Sequence, residues 1–167
     1  MKLIHRKIDF IRDRDYVLER HCRINYACDS PWKRRTMTYP AYREEWFSLE
    51  SQVSGFYHHL QATAQDGRTI AEILEIEDGR TAGYLWAPFY LDSVSGFCFA
   101  EIQDIYIGKE FRRLGFATEL YGYVEEAAKR NGAQVVRAGT GCENTGSIAL
   151  HKMLGFYPYR YEFEKLL

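Results

Sequence analysis

The stretch that decides the reading is Glu101-Ile102-Gln103-Asp104-Ile105-Tyr106-Ile107-Gly108-Lys109-Glu110-Phe111-Arg112-Arg113-Leu114-Gly115-Phe116-Ala117-Thr118. Its first part, ending in the apolar Ile105-Tyr106-Ile107, predicts a strand. A short loop with two arginines then leads into a helix. Free backbone N–H groups at a helix N-terminus, together with the helix dipole, favour an anion. Gly115 has no Cβ and lets the backbone come close to that anion. Ala117 keeps the next position small, and Arg112 and Arg113 add positive charge. The design suits a pyrophosphate; a solvated basic turn is the plainer alternative. A nicotinamide-binding loop is disfavoured, because it needs G-x-G-x-x-G after a first strand and a single glycine stands between Arg112 and Thr118. A Walker loop is absent, since no Gly-Lys-Ser/Thr occurs.

Outward from this segment the pattern stays legible. Ala117, Leu120, Tyr121, Val124 and Ala128 share one helical face, with Glu125–Lys129 and Glu126–Arg130 in the favourable i,i+4 order. Asn131-Gly132 ends that helix. Ala133–Ala138 predicts a buried strand, Asn144 caps a short helix to Leu154, and 156–163 alternates aromatic and polar residues as a last strand would. Upstream, 96–108 is one strand. Thr69–Glu77 and Thr81–Leu91 form a hairpin about Asp78-Gly79. Residues 3–10 make a first strand, and Asp13 or Asp15 caps a helix running to about Ala27. Ser30-Pro31-Trp32 reads as a break, and a second helix spans 41–64. Strands grouped in the middle and alternating with helices later predict a mixed α/β (α+β) sheet covered by helices.

The 167 residues are 46% hydrophobic and 27% charged, a balance that favours one compact domain. A net charge of −1 gives no electrostatic case for nucleic acid. No apolar run approaches the ~20 residues of a membrane helix, and no signal core follows the basic start, so a soluble cytoplasmic protein is expected. Cys22, Cys28, Cys98 and Cys142 form no C-x-x-C pair, and no metal is expected. Four reduced, mostly buried thiols fit best.

Arg112-x-x-Gly115-x-Ala117 resembles the R/Q-x-x-G-x-G/A hallmark of the GNAT superfamily of N-acetyltransferases. Glu143-Asn144-Thr145-Gly146-Ser147-Ile148-Ala149-Leu150-His151-Lys152-Met153-Leu154-Gly155-Phe156 resembles that family's second segment. The resemblance implies a single domain over 1–167, with an acceptor-shaping part at about 1–68 and an acetyl-coenzyme A part at about 97–156. It implies a twisted, mostly antiparallel sheet of about six or seven strands with about four helices. That sheet would splay between 101–108 and 133–138 to admit the cofactor arm.

It further implies that the backbone of Ile105, Tyr106 and Ile107 bonds the pantetheine. Amides of Arg113, Leu114, Gly115, Phe116, Ala117 and Thr118, with Arg112, would hold the pyrophosphate. Asn144, Ser147 and His151 would lie near the cofactor, and an N–H near Ile107 would polarise the carbonyl.

Direct acetyl transfer to an amine needs a neutral nucleophile and a proton for the departing thiolate. Glu101 and Asp104 are the candidate bases, with an ordered water as the alternative. The family's tyrosine acid falls at His151, whose imidazole could donate instead; Tyr121 and Tyr157 are substitutes. For the acceptor, aromatics between Trp32 and Tyr57 with Glu44, Glu45 and Glu50 suit a small cationic amine. A peptide amine is the rival, and an acyl-coenzyme A-binding sensor is the non-enzymatic alternative. A homodimer would use an edge strand or the aromatic C-terminal strand.

Overall fold

The computed structural model describes residues 1–167. The chain opens with β1 (Leu3–Lys7) and α1 (Arg14–Cys28). Asp13 stands at the N-cap of α1, but its carboxylate makes no cap bond; it accepts from Asp9 N and from the Arg6 guanidinium, both at 2.8 Å. The expected break at 30–32 instead opens a helix, α2 (Pro31–Thr36), and the expected single helix at 41–64 is two, α3 (Tyr39–Ser48) and α4 (Glu50–Thr63). Pro31 begins a helix rather than breaking one, and Pro40 stands in the first turn of another as its position predicts, since the first helical turn needs no proline N–H. Ser30 Oγ caps α2 by accepting from Lys33 N at 3.1 Å.

The hairpin forms as its Asp-Gly pair predicts: β2 (Ile70–Ile76) and β3 (Thr81–Ala87) flank Gly79 at φ 83°. The run to Leu91 is interrupted at Pro88, which has no ladder donor, and resumes as β4 (Phe89–Leu91). The strand at 96–108 also divides, into β5 (Cys98–Ile102) and β6 (Asp104–Ile107). A 3₁₀ turn at Lys109–Phe111 precedes α5 (Phe116–Arg130), and β7 (Val135–Ala138) and α6 (Thr145–Met153) complete the order.

The strands run β1-β2-β3-β6 in one ladder and β4-β5-β7 in the other. Only the β5–β7 pair is parallel. Two backbone bonds at 3.0 Å, Gln103 N to Trp86 O and Glu101 N to Pro88 O, join the ladders into one surface. Gln103 and Asp104 both oppose Trp86, which defines a bulge. The bulge shifts the side-chain phase by one. Cys98, Ala100 and Ile102 face the α5 side, and so do Ile105 and Ile107. Tyr106 faces the opposite layer, built by α1, α3 and α4 over Ile73, Tyr84 and Trp86.

Gly83 of β3 faces the Tyr106 carbonyl of β6. A Cβ there would lie 1.9 Å from Tyr106 O, so only glycine permits this pairing.

Four further expectations change. α5 buries Phe116, Leu120, Tyr121, Val124, Ala127 and Ala128, with Ala117 only half-buried. Lys129 bridges Glu126 at i,i+3 and 2.8 Å rather than Glu125. β7 is half-buried throughout, because it is an edge strand paired on one side only. The alternating 156–163 segment forms no strand: alternation needs a partner edge, and this segment joins no ladder. Tyr157, Tyr161 and Phe163 stand exposed, and Tyr159 rests against the Arg137 guanidinium, 5.0 Å from its ring centroid. No helix is long and apolar enough to cross a membrane.

Candidate active site

β7 pairs with β5 from Phe99↔Val135 to Ile102↔Ala138 and then ends, whereas β6 pairs only with β3. Beyond Ile102 the two strands part, and β6 presents one unpaired edge to the gap. Gly108 N donates to Ala82 O at 2.7 Å, toward β3. By the alternation of an antiparallel ladder, Tyr106 also turns its backbone to β3, and Ile105 and Ile107 turn theirs to the gap. Arg112 Nε already donates to Ile107 O at 3.1 Å. The edge groups left for a ligand are therefore the Ile107 N–H and both backbone groups of Ile105.

At the end of this edge, Arg113 (φ 65°) and Gly115 (φ 84°) both adopt left-handed backbone. Alternation of such residues makes a concave nest of N–H groups. The first intrahelical bond of α5 is Glu119 N to Gly115 O, so the amides of Phe116, Ala117 and Thr118 have no partner within the helix, and no side chain caps it. Arg112, Arg113 and Leu114 are exposed around them. An anionic diphosphate fits this cradle.

Asp104, on the α1 face of β6, is 2% exposed. Tyr84 OH donates to its Oδ2, and His21 Nδ1 lies 2.7 Å from the same atom. Asn25 Nδ2 lies 2.9 Å from His21 Nε2. The pattern assigns the neutral tautomer with Nδ1–H donating to Asp104 and Nε2 accepting from Asn25. The His21 ring stacks on Phe56 with centroids 3.5 Å apart and stands 5.8 Å from Trp46. Burial, then the Asp104 charge, pushes the Tyr84 hydroxyl well above its ordinary value.

The sequence reading missed His21, Asn25 and Tyr84. The available signal was two polar residues at i,i+4 beside the inward-facing Val17, Leu18 and Cys22 of α1. Glu101 is half-buried on the same side of the sheet as Asp104 and enters no ion pair. Of the acidic residues expected around the acceptor, Glu45 is held by Lys33 at 3.1 Å, and Glu44 and Glu50 are exposed. Tyr42, Trp46 and Tyr57 are core residues.

His151 and its suggested substitute Tyr121 turn out to be bonded partners. His151 Nδ1 donates to Ser147 O, and its Nε2 accepts from Tyr121 OH, both at 2.8 Å. Burial lowers the His151 pKa from 6.5, so the ring is neutral at pH 7. Asn144 Oδ1 caps α6 by accepting from Ser147 N at 3.4 Å. Tyr157 lies away from this group, exposed past the end of α6.

A splayed mixed sheet, an anion cradle at a helix start and a free strand edge between them define the class, and the chain belongs to the acetyltransferase (GNAT) family. The family profile matches residues 31–156. Membership implies acetyl-coenzyme A as acyl donor. Among curated proteins, an uncharacterised N-acetyltransferase of Methanocaldococcus jannaschii is 25% identical over 119 residues, covering 71% of this chain. The chain spans about half (51%) of the length of that relative. Among solved structures, a Trypanosoma brucei acetyltransferase aligns with TM-score 0.63 and 14% identity over 99% of this chain and 100% of its own. Glucosamine-6-phosphate N-acetyltransferase from Arabidopsis thaliana aligns with TM-score 0.62 and 12% identity over 99% of both chains. These two show that the fold is shared.

Proposed function

We propose that this chain transfers the acetyl group of acetyl-coenzyme A directly to a primary amine in a ternary complex. The observation that carries this reading is the free edge of β6, set between the Arg113–Thr118 amide cradle and the His21–Asp104 pair. In this reading the Ile105 and Ile107 edge groups bond the pantetheine. The amides of residues 113–118 hold the pyrophosphate with Arg112, and Asn144 and Ser147 flank the thiol end.

Asp104 is too enclosed to meet an acceptor itself, so the base is the His21 imidazole with Asp104 orienting it. The acceptor's ammonium displaces the Asn25 amide from His21 Nε2, loses a proton to that lone pair and keeps its electron pair for the carbonyl. Asn25 serves both states of the ring: its amide N–H₂ donates to neutral Nε2, and after rotation its oxygen accepts from the protonated ring. Glu101 is placed to hold the acceptor's ammonium. The Tyr121–His151 pair is the proton source for the departing thiolate. A small amine suits the aromatic surroundings of His21, where the half-buried Phe56 supplies a π face for a cation.

Thiol release from acetyl-coenzyme A across polyamines, amino acids, aminosugars and short peptides tests the reading, with calorimetry of acetyl-coenzyme A binding alongside. Binding together with turnover on one amine class is expected. Absence of binding would overturn it, and turnover on peptides alone would replace the small amine.

A further inference from the structure

Two cysteines distant in sequence stand on adjoining backbone segments. Cys28 is the last residue of α1, and Cys142 lies in the loop that leaves β7 for α6; both are free and exposed. Gly141 brings them together. A Cβ on Gly141 would lie 2.9 Å from Cys28 Cα and 3.1 Å from both Ala27 O and Cys28 O. The two backbones are therefore in direct contact, and a side chain at 141 would part them. With a Cα–Cβ bond of ~1.5 Å and ~3.8 Å between consecutive Cα atoms, the Cys28 and Cys142 Cα atoms lie within about 8 Å. A disulfide spans about 4.4–6.8 Å between Cα atoms. That bound overlaps the disulfide range, and Cys142 itself is exposed.

The contact is reinforced next door. Glu143 accepts from Arg35 at 2.8 Å and pairs with Arg34 at 3.5 Å. These ion pairs hold the start of the helical layer, α1 and α2, against the loop on the far side of the gap. The other two cysteines are unlike this pair. Cys22 and Cys98 are buried, and burial pushes the Cys22 thiol up to about 11, which leaves it little thiolate to react.

We propose that Cys28 and Cys142 form a reversible intramolecular disulfide that fastens this clasp, with a low-molecular-weight disulfide such as glutathione disulfide as oxidant. The thiolate of one cysteine attacks the oxidant's disulfide, and one glutathione thiolate leaves. The second protein thiolate attacks the mixed disulfide at the protein sulfur, and the other glutathione leaves. Two protein thiols are oxidised, one glutathione disulfide is reduced to two thiols, and the two protons pass to the departing glutathiones. The bond closes a loop of over a hundred residues and joins the two walls of the gap, so it restricts the unfolded chain strongly.

The test is native incubation of the full chain with glutathione disulfide, followed by intact mass, peptide mapping without reduction and thermal unfolding. The expected product is a monomer ~2 Da lighter, with the Cys28 and Cys142 peptides linked and Tm raised by several degrees. Dithiothreitol reverses both changes, and Cys28→Ser or Cys142→Ser prevents them. Stable glutathione adducts on either cysteine, a disulfide-linked dimer, or four thiols unchanged would each overturn the proposal. None of these readouts depends on acetyl transfer.

Discussion

His21 and Asp104, 83 positions apart in the chain, meet with imidazole Nδ1 2.7 Å from carboxylate Oδ2 beneath the stacked ring of Phe56. The helix brings the ring, the bulged strand brings the carboxylate, and Tyr84 occupies the same oxygen from β3. Asp104 thereby fixes which ring nitrogen carries the proton and leaves Nε2 as the basic one.

If His21 is the base, His21→Gln should lower kcat by roughly 10²–10⁴-fold, the usual worth of a positioned proton acceptor. Asp104→Asn should lower kcat less and leave acetyl-coenzyme A affinity near wild type by calorimetry. Unaltered kcat in both variants, in a protein that binds the cofactor, would move the base to Glu101. Asp104→Leu is a different test: it strands the Tyr84 hydroxyl, and chemical denaturation should show a loss of about 1–3 kcal/mol.

Gly83→Ala should be among the most damaging single substitutions. Its Cβ falls 1.9 Å from Tyr106 O, backbone that cannot yield without moving β6. A loss of about 3 kcal/mol or more is expected in urea titration. Weaker acetyl-coenzyme A binding should accompany it, because the shifted strand carries the Ile105 and Ile107 edge.

Gly115→Ala acts by another route. Nothing lies within 4 Å of a Cβ there, but φ is 84°. The cost is backbone strain of about 1–2 kcal/mol, relieved if the loop abandons the left-handed turn that aims the amides. The expected result is a modest fall in Tm and a large fall in cofactor affinity. An affinity equal to wild type would place the anion elsewhere.

His151→Phe should lower kcat and also stability, since the buried Tyr121 hydroxyl loses its acceptor. Tyr121→Phe separates the effects, sparing most of the stability while removing the hydroxyl from the proton source. The pH dependence has a definite sign. Folding depresses the His151 pKa below 6.5, so the unfolded chain binds the proton more tightly. Stability is full above about pH 6.5 and declines as pH falls toward the folded value. Thermal scans between pH 7.5 and 5 should show a steeper loss for wild type than for His151→Gln.

The fold and the amide cradle at the start of α5 were largely legible in the sequence because their signals are local. Arg112-x-x-Gly115-x-Ala117, the α5 periodicity and the Asp78-Gly79 turn each act within a few residues. The bulge at Gln103 escaped because Ile102-Gln103-Asp104-Ile105 carries no glycine or proline to mark an inserted residue. The 31–63 region was read as one break and one helix: Pro40 marks a helix start, but Pro31 serves as one only where tertiary contacts support so short a helix. The last strand was misread for the converse reason: its alternation is sound, but pairing is a property of a neighbour. His21 left only its i,i+4 spacing with Asn25 as a signal, and the placement of α1 over β6 is what makes it a partner of Asp104.

The phase shift at Gln103 turns β6 into a partition with two addresses. Side chains at 104 and 106 speak to the helical chamber, those at 105 and 107 to the α5 core, and the backbone edge to the gap. Removing one residue at the bulge would exchange the two sets, driving a carboxylate among aliphatic side chains and an isoleucine against His21. Under the proposed reading, chamber chemistry can be rewritten at 104 and 106 while the donor's track, being main chain, stays the same. Variation in acceptor preference is therefore cheap for this scaffold, and variation in donor is not.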